Sequence, residues 1–288
     1  MDYVEDTHGN VATNYYTPET NYYGANAGTT GVGYARGGQL SRIDYGLRDE
    51  NGSIYAAAAP EQVVFTTAER CFASGTTCSY SNFNTTNASY WQDTPEDQKC
   101  DQGTVCNNHA PTFWSTKRLP AIDTYDNPGT GNVRVDNYAL AESFPTAGDP
   151  ELQLDSITRP GDDGGTGVTM PAISFNRRLR DNRVYGYNNQ IAMQHWRLTD
   201  ITTDTGSTIS VSYGQPTGQD CAVGNMPSDP ANNGTLCFPV YWQQDYTSSP
   251  TLDYFEKYVV TKVLFHDPNA IAPDQVTSYS YLGTPAWH

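Results

Sequence analysis

The sequence lacks any long hydrophobic run. No stretch approaches the roughly 18 apolar residues that a membrane-spanning helix needs. The first six residues, MDYVED, have neither the basic start nor the apolar centre of a signal peptide. We therefore predict no membrane partner, and we expect any export signal to be encoded outside this chain.

Basic residues are also scarce. The 288 residues include 16 Lys and Arg against 32 Asp and Glu, which gives a formal net charge of -16. Nucleic-acid binding depends on neutralising phosphates with cationic side chains, so this balance argues against a nucleic-acid partner. An anionic membrane surface is disfavoured for the same reason, and solubility is the simplest role of the charge.

Helical periodicity is a third feature that the sequence lacks. No stretch places apolar residues at helical spacing over ten or more positions. The chain instead has 21 Tyr, 25 Gly and 18 Pro, and such residues favour half-solvated strands separated by tight turns. We predict an all-β fold, a meander of short antiparallel strands that forms a large curved sheet.

Motifs for catalysis or cofactor binding are missing as well. Gly31, Gly33 and Gly37 have the wrong spacing for a dinucleotide-binding turn, and no phosphate loop, HExxH or GxSxG motif occurs. PGDDGGTG at 160–167 does not match a calcium loop. We predict no catalytic residue, no cofactor and no metal site. The histidines are scattered singly, at His8, His109, His195, His266 and His288.

Glycoside hydrolysis is the enzymatic alternative, because it needs only two facing carboxylates. The candidates are Asp155, Asp200, Asp204 and Asp253. Most of them lie in turn contexts, where Asp binds its own backbone. A turn or surface role is therefore favoured for each, and the prediction is a protein that is not an enzyme.

Cysteines form three neighbouring pairs: Cys71 with Cys78, Cys100 with Cys106, and Cys221 with Cys237. None of these spacings matches the C-x2-4-C of a zinc site, and a single His109 near Cys106 is a weak ligand candidate. Short loops close most easily, so we predict three sequence-local disulfides. Disulfides imply an oxidising compartment, and the predicted location is extracellular or at the cell surface.

A short pattern recurs along the chain: a Leu, an Ile three positions later, polar or Tyr residues, and a Gly or Asp turn. It occurs in GGQLSRIDYG (37–46), RLPAIDTYD (118–126), LQLDSITRPG (152–161) and RLTDITTDTG (197–206), with a looser copy in VVTKVLFHD (259–267). Residues three apart on a regular strand point to opposite faces. The pattern therefore requires either apolar contacts on both faces or a bulge between the two residues. Irregular spacing between the copies favours a meander with insertions over a strict solenoid.

Alternating apolar and polar residues mark individual strands. In RLTDITTDTGSTISVSY (197–213), Ile209, Val211 and Tyr213 alternate with serines after an Asp-Thr-Gly-Ser turn, which predicts a hairpin. FEKYVVTKV has a helical alternative at its start, and a strand is favoured from Tyr258 onward. Further strand candidates are EQVVFTTAE, VTMPAISF, CFPVYW, YFEKYVVTKVLF and TSYSYLG.

Three regions follow from these patterns. Residues 1–60 hold the first strands, residues 61–115 form a Cys-, Asn- and Thr-rich insertion, and residues 116–288 form a second array of strands. The glycosylation sequons at Asn84, Asn87 and Asn233 indicate polar, exposed loops.

The segments taken in order resemble bacterial Rhs or YD-repeat proteins. VEDTHGNVATNYYT followed by GGQLSRIDYG is similar to their repeat, with an Asp, a Gly-Asn turn, spaced tyrosines and Gly-x-Leu-x-x-Ile-x-Tyr. The resemblance makes residues 1–60 a YD-like strand segment and residues 116–288 an Rhs-like array. Segments similar to the block that leads into those repeats are LQLDSITRPG, MPAISF, RLRDNRV, RLTDITTDTGSTISVSY, CFPVYW, LDYFEKYVVTKV and TSYSYLGTPAWH.

In that family the strands form a hollow shell around a C-terminal toxin or effector domain. The resemblance implies a non-catalytic wall segment of an exported protein, with the remainder of a longer Rhs-type polypeptide and its enclosed effector as partners. The self-cleaving core of the family uses Asp-Pro-x-Gly, whereas Asp267-Pro268 is followed here by Asn269-Ala270, so no protease role is carried over. Strand-like patterns at both ends of the sequence imply unpaired sheet edges.

An alternative from another class is a secreted carbohydrate-binding or glycoside-hydrolase-like β module that contacts glycans or a cell surface. Tyr and Trp rings provide flat apolar platforms for sugars. The candidate platforms are Trp91, Trp114, Trp196 and Trp242.

Overall fold

The structure is a computed structural model that describes residues 2–49, 52–54, 57–73, 77–127, 129–161, 167–214, 221–244 and 247–287. Residues 162–166 of PGDDGGTG and His288 lie outside these ranges. The helical elements within them are 3-10 turns of three residues, and all other regular structure is β-strand. The prediction of an all-β fold is confirmed. No helix in these ranges is long and apolar enough to cross a membrane.

Contacts divide the chain into two compact units, of which the first comprises Met1–Phe144 and Glu151–Met170. Each of its strands pairs antiparallel with the next one along the chain. The second and third strands are longer than the short strands that the sequence predicts. The strands are β1 (Tyr3–Glu5), β2 (Asn10–Gly24), β3 (Gly31–Arg48), β4 (Glu61–Glu69), β5 (Lys117–Asp126), β6 (Val133–Ser143) and β7 (Gln153–Thr158).

The second unit comprises Pro145–Pro150 and Pro171–His288. Its strands are β8 (Ile173–Asp181), β9 (Gln194–Thr202), β10 (Thr208–Gly214), β11 (Cys237–Trp242), β12 (Thr251–Glu256), β13 (Val259–His266) and β14 (Gln275–Ser278). The strands β8, β9, β10, β13 and β14 pair antiparallel in that order, and β11 and β12 form a separate hairpin. Twelve strands therefore follow a meander order, and the sheet is not closed.

The hairpin predicted at 197–213 is confirmed. It consists of the end of β9 and the start of β10, with Ile201 opposite Ile209 and Asp200 opposite Ser210. Gly206 has a φ of +86° in the turn between them, a conformation that costs glycine little. The helical alternative for FEKYVVTKV is wrong, because this segment contributes to β12 and β13.

Buried apolar side chains form three small clusters. Most residues of the meander strands are only half-buried. The second cluster lies in the Cys-rich insertion, and the third lies between the β11–β12 hairpin and residue 184. Much of the apolar core is therefore beside the sheet, in the segments that connect its strands. The clusters are Val11, Leu47 and Ala59; Cys71, Phe83 and Trp91; and Val184, Cys237 and Tyr254.

Candidate functional site: a repeated bulge and two buried ion pairs

A β-bulge accompanies every copy of the Leu-x-x-Ile pattern. In β3, Arg42 pairs with Tyr15 and Leu40 pairs with Tyr16, so Ser41 is an extra residue without a partner of its own. The same excess of one residue occurs opposite β4, β6, β8 and β10. The extra residues there are Leu119 or Pro120 in β5, Asp155 in β7, Thr199 in β9 and Thr261 in β13.

The bulge changes which face of the sheet the two apolar residues occupy. Leu198 lies opposite Arg177 and Ile201 lies opposite Phe175. Arg177 and Phe175 are two apart on β8 and therefore share a face, so Leu198 and Ile201 share a face as well. Of the two interpretations of the pattern, the structure shows the bulge, which brings Leu and Ile to the same side.

At three of the five bulges, the hydroxyl of the extra residue donates a hydrogen bond to the facing strand. The hydroxyls of Ser41, Thr199 and Thr261 donate to backbone carbonyls of the facing strand, at 2.9, 3.2 and 3.2 Å. In each case the acceptor belongs to the residue at which the register shifts, namely Tyr15, Asn176 and Ser212. The same side-chain bond thus recurs at equivalent places in three of the five hairpins.

Each of the five bulges at the Leu-x-x-Ile pattern lies on the second strand of a hairpin: β2–β3, β4–β5, β6–β7, β8–β9 and β10–β13. Each of the two longest connections joins the two strands of a single hairpin: 70–116 joins β4 to β5, and 215–258 joins β10 to β13. Connections from one hairpin to the next are shorter, at 49–60, 127–132, 159–172 and 203–207. The insertions are therefore confined to one kind of connection.

Leu40 and Leu119, the leucines of two copies of the pattern, line an open cavity of about 390 Å³ in the first unit. Leu40, Phe65 and Leu119 contribute its apolar surface. Its cations are paired with carboxylates: Arg70 with Asp93, Lys117 with Glu69, and Arg118 with Glu142. Because these charges are neutralised in pairs, the cavity is not an obvious site for an anionic ligand.

A buried ion pair within the β2–β3 hairpin is bonded to the end of the 70–116 connection. Arg36 Nη2 lies 2.7 Å from Glu19 Oε2, and the two residues are 3% and 7% exposed. Glu19 also accepts bonds from the Thr116 backbone N–H at 3.0 Å, from the Ser115 hydroxyl at 2.5 Å, and from the Gln39 amide.

Electrostatics favour the ionised form of this carboxylate. Burial acts to raise the pKa of Glu19, but hydrogen bonds from Ser115 and Thr116 and the charge of Arg36 outweigh it, so the pKa lies below its ordinary value. The Arg36 guanidinium also lies over the Trp114 ring, 3.7 Å from its centroid. The cation therefore has an aromatic partner as well as a carboxylate.

Further polar contacts fasten the insertion to the same hairpin. Asn21, which is 1% exposed, donates to the Gln98 carbonyl at 2.9 Å and accepts from the Cys100 N–H at 2.9 Å. The Tyr34 hydroxyl donates to the Thr112 carbonyl at 2.7 Å. Since each bond joins a strand to a residue more than 70 positions away, the insertion is docked specifically rather than loosely attached.

The second unit contains a similar buried pair beside the β11–β12 hairpin. Arg183 Nε lies 3.0 Å from Asp253 Oδ2, and the two side chains are 5% and 0% exposed. Asp253 also accepts the Trp242 indole N–H at 3.2 Å and the Tyr254 backbone N–H at 3.0 Å. These bonds satisfy a carboxylate that is fully removed from water.

The carboxylates considered as catalytic candidates occupy structural positions. Asp253 is in the buried ion pair, Asp155 is a bulge residue, and Asp204 lies in the β9–β10 turn. Asp200 accepts the Ser210 hydroxyl at 2.6 Å. In the part of the chain that the structure describes, no three His, Cys, Asp or Glu side chains are grouped to hold a metal ion.

Three histidines each have a separate partner. His109 Nδ1 lies 3.0 Å from the Gly24 carbonyl. His195 Nε2 lies 3.1 Å from Asp149, and His266 Nδ1 lies 2.7 Å from Asp274.

The six cysteines are bonded in three pairs: Cys71–Cys78, Cys100–Cys106 and Cys221–Cys237, with Cα–Cα distances of 5.5, 5.7 and 5.5 Å. Two of the disulfides are in the connection 70–116 between β4 and β5, and the third joins the segment before β11 to its first residue. They therefore stabilise the connecting segments rather than link neighbouring strands of the meander.

Two sequence expectations about exposed side chains are wrong. Trp91 is 1% exposed, so its ring offers no face to a sugar. Asn233 is 5% exposed and donates to the Cys237 carbonyl at 2.6 Å, so this sequon is not in an exposed loop. The indole N–H of Trp196 donates to the Ala147 carbonyl at 2.9 Å. The sequence alone identifies a tryptophan or a glycosylation sequon, but it does not show whether the side chain is buried.

No protein-family model matches the chain, and no curated protein sequence matches it significantly. Solved structures match over nearly its whole length. A mutant Tc holotoxin pore of Photorhabdus luminescens is 11% identical with a TM-score of 0.33, and the match covers 97% of this chain and 12% of that one. The crystal structure of TcdB2-TccC3-Cdc42 is 13% identical with a TM-score of 0.34, covering 96% and 14%. The chain thus spans less than a sixth of the length of either structure.

Proposed function

We propose that this chain is a non-catalytic wall segment of a β-sheet scaffold, and that the scaffold belongs to an exported Rhs or YD-repeat protein. The observation that carries the proposal is the recurrence of one bulge in five successive hairpins. Each hairpin contacts its neighbours by strand pairing and carries the same local device. Repetition of a unit that pairs only with its neighbours is how extendable scaffolds are built.

The outer strands support the same function. In the described ranges β1 pairs only with β2, and β14 pairs only with β13. Val4 in β1 is 51% exposed, and Val276 in β14 is 57% exposed. An edge of this kind presents unpaired backbone groups to another strand. We infer that further strands of the same polypeptide occupy both edges.

The proposal includes the enclosure of a C-terminal toxin or effector domain. It is supported by the resemblance of the repeats to YD sequences and by the open cavity that Leu40 and Leu119 line. A wall that faces an enclosed domain needs one surface with apolar character, and the bulges supply it by placing Leu and Ile on one side.

Site-specific photocross-linking tests the proposal. A benzophenone amino acid replaces Val276 at the sheet edge in the protein made by its natural source. The matched control replaces Val105, which is 70% exposed but lies in the insertion. Because β14 is already paired with β13, the informative products are those with strand segments outside residues 1–288. We expect such cross-links from position 276 at a higher yield than from position 105. Equal yields, or no product outside these residues from position 276, would contradict the wall function.

A further inference from the structure

A groove of about 720 Å³ runs beside β11 in the second unit. Its floor is formed by four consecutive strand residues, 238–241, while Pro230 and Trp287 flank it. Consecutive residues of a strand point to opposite faces of the sheet. A groove that contacts all four must therefore lie along the edge of β11 rather than over one face.

Hydrogen bonding shows which backbone groups of β11 point into this groove. The N–H and C=O of Cys237 bind the side chains of Thr235 and Asn233, so they point away from β12. In an antiparallel pair such outward residues alternate, which makes Pro239 and Tyr241 the next ones. Their partners on β12 agree, because the Tyr254 carbonyl, opposite Pro239, accepts from Val184 on the far side of β12.

Three of these outward groups have no partner among the described residues: the Pro239 carbonyl, the Tyr241 N–H and the Tyr241 carbonyl. Pro239 has no backbone N–H, and proline within a sheet is usual on an edge strand, where no neighbouring strand needs that donor. A free donor flanked by free acceptors on a strand edge matches the backbone of another extended chain. Residue 241 alone can exchange two hydrogen bonds with a facing residue.

The walls favour a peptide over a sugar. Apolar and aromatic side chains line the groove. Of the four floor residues, Tyr241 has a polar side-chain group, its hydroxyl. Trp287 packs on Phe238 with ring centroids 5.5 Å apart, which gives one flank a firm apolar surface. Sugar sites need several side-chain donors and acceptors, whereas an added strand obtains its polar contacts from the backbone.

Charge adds a further requirement on the partner. Asp229 immediately precedes the Pro230 flank, no Lys, Arg or His among the described residues lines the groove, and the chain carries a net charge of -16. A cationic partner is therefore attracted and an acidic one repelled.

We propose that the outer edge of β11 binds an extended peptide of another protein as a third strand of the β11–β12 hairpin. The peptide has apolar side chains at alternate positions, one set against Trp287 and the other against Pro230, and Lys or Arg near its ends. This site is independent of the wall function, since it lies outside the twelve-stranded meander.

Selection from a displayed library of random linear heptapeptides tests the site on the full chain. Tyr241→Pro removes the outward N–H and leaves the bonds to β12 in place, because Tyr241 and Leu252 form a pair without mutual hydrogen bonds. Tyr241→Ala is the matched control, since it also removes the aromatic ring but keeps the N–H. We expect enriched sequences with alternating apolar residues and cationic ends, bound about tenfold more weakly by the Pro variant than by the Ala variant.

A second arm keeps the test decisive if Tyr241→Pro disturbs the hairpin, which circular dichroism and tryptophan fluorescence would reveal. The best synthetic peptide is then N-methylated at each amide in turn and titrated against the unaltered protein. We expect loss of binding on methylation at the residue facing Tyr241 or two residues beyond it. No enrichment over an unrelated protein, enrichment of acidic sequences, or equal affinity for all methylated peptides would overturn the site.

Discussion

Replacing Glu19 by Gln should be one of the most damaging conservative substitutions in the first unit. The two carboxylate oxygens both receive donors: Oε2 binds Arg36 and Thr116, and Oε1 binds Gln39 and Ser115. Whichever way the Gln amide is placed, its NH₂ group faces other donors. The substitution also leaves the Arg36 guanidinium, 3% exposed, without a counter-charge.

The expected loss follows from this burial. Removing one partner of a buried ion pair costs about 3–5 kcal/mol of unfolding free energy, because the remaining charge stays desolvated. Asp136→Asn is the control, since Asp136 pairs with Arg159 in a bidentate contact at 2.8 and 2.9 Å, with the Arg side chain 51% exposed. Exposed pairs contribute about 0–1 kcal/mol.

Urea unfolding followed by tryptophan fluorescence measures both values, with Trp114 beside the pair as a local probe. The double variant Glu19→Gln with Arg36→Met should recover part of the lost stability, because no unpaired charge then remains buried. A loss below about 1 kcal/mol for Glu19→Gln, equal to that of the control, would refute the reasoning.

The same pair sets a pH dependence with a definite sign. Although burial acts to raise it, the pKa of Glu19 in the folded protein lies below its ordinary value of 4.5. The unfolded chain therefore binds the proton more readily, and the contribution to stability is present above pH 4.5. It is lost as the pH falls through the folded pKa, and Glu19→Gln should remove this part of the acid dependence.

Three further predictions concern the bulges, a disulfide and a buried phenol. Thr199→Val removes the hydrogen bond of the Thr199 hydroxyl at the bulge and should lower the free energy of unfolding by about 0.5–1.5 kcal/mol, whereas Thr277→Val on the exposed edge strand should change it little. Replacing Cys221 and Cys237 together by Ser should cost about 3 kcal/mol in urea unfolding, and an equal stability with and without reductant would contradict this. Burial, followed by Glu256, raises the pKa of Tyr258, so its stabilising contribution is present below the phenol's ordinary pKa of 10.0 and is lost as the pH rises through the folded pKa. Tyr258→Phe should flatten that alkaline dependence, and ultraviolet titration should show one fewer high-pKa phenol.

The fold was largely predictable from local patterns. EQVVFTTAE is β4 and CFPVYW is β11, residue for residue, because alternation and turn residues define a strand without reference to distant contacts. The Leu-x-x-Ile spacing indicated a bulge as one of two solutions. Choosing between them required the facing strand, since a bulge exists only relative to the register of its partner.

The buried clusters were not predictable by the same reasoning. Glu19 and Thr116 lie almost a hundred positions apart, and the pattern around Glu19 is that of an ordinary polar strand. The free edge of β11 likewise depends on which of its residues are hydrogen-bonded to β12. The bonds from Asn233 and Thr235 to the Cys237 backbone show this, and they are visible only in the structure. Pro239 within a strand run was the one local signal, because proline favours edges.

The position of the bulge on alternate strands also governs how such a chain can change in length. Loss or duplication of two consecutive strands leaves every later strand with its original direction and its Leu and Ile on the original side. Loss of a single strand reverses the direction of all that follow and moves each bulge to the wrong partner. Related genes should therefore differ by even numbers of strands, and a deletion library should yield soluble protein only at those lengths.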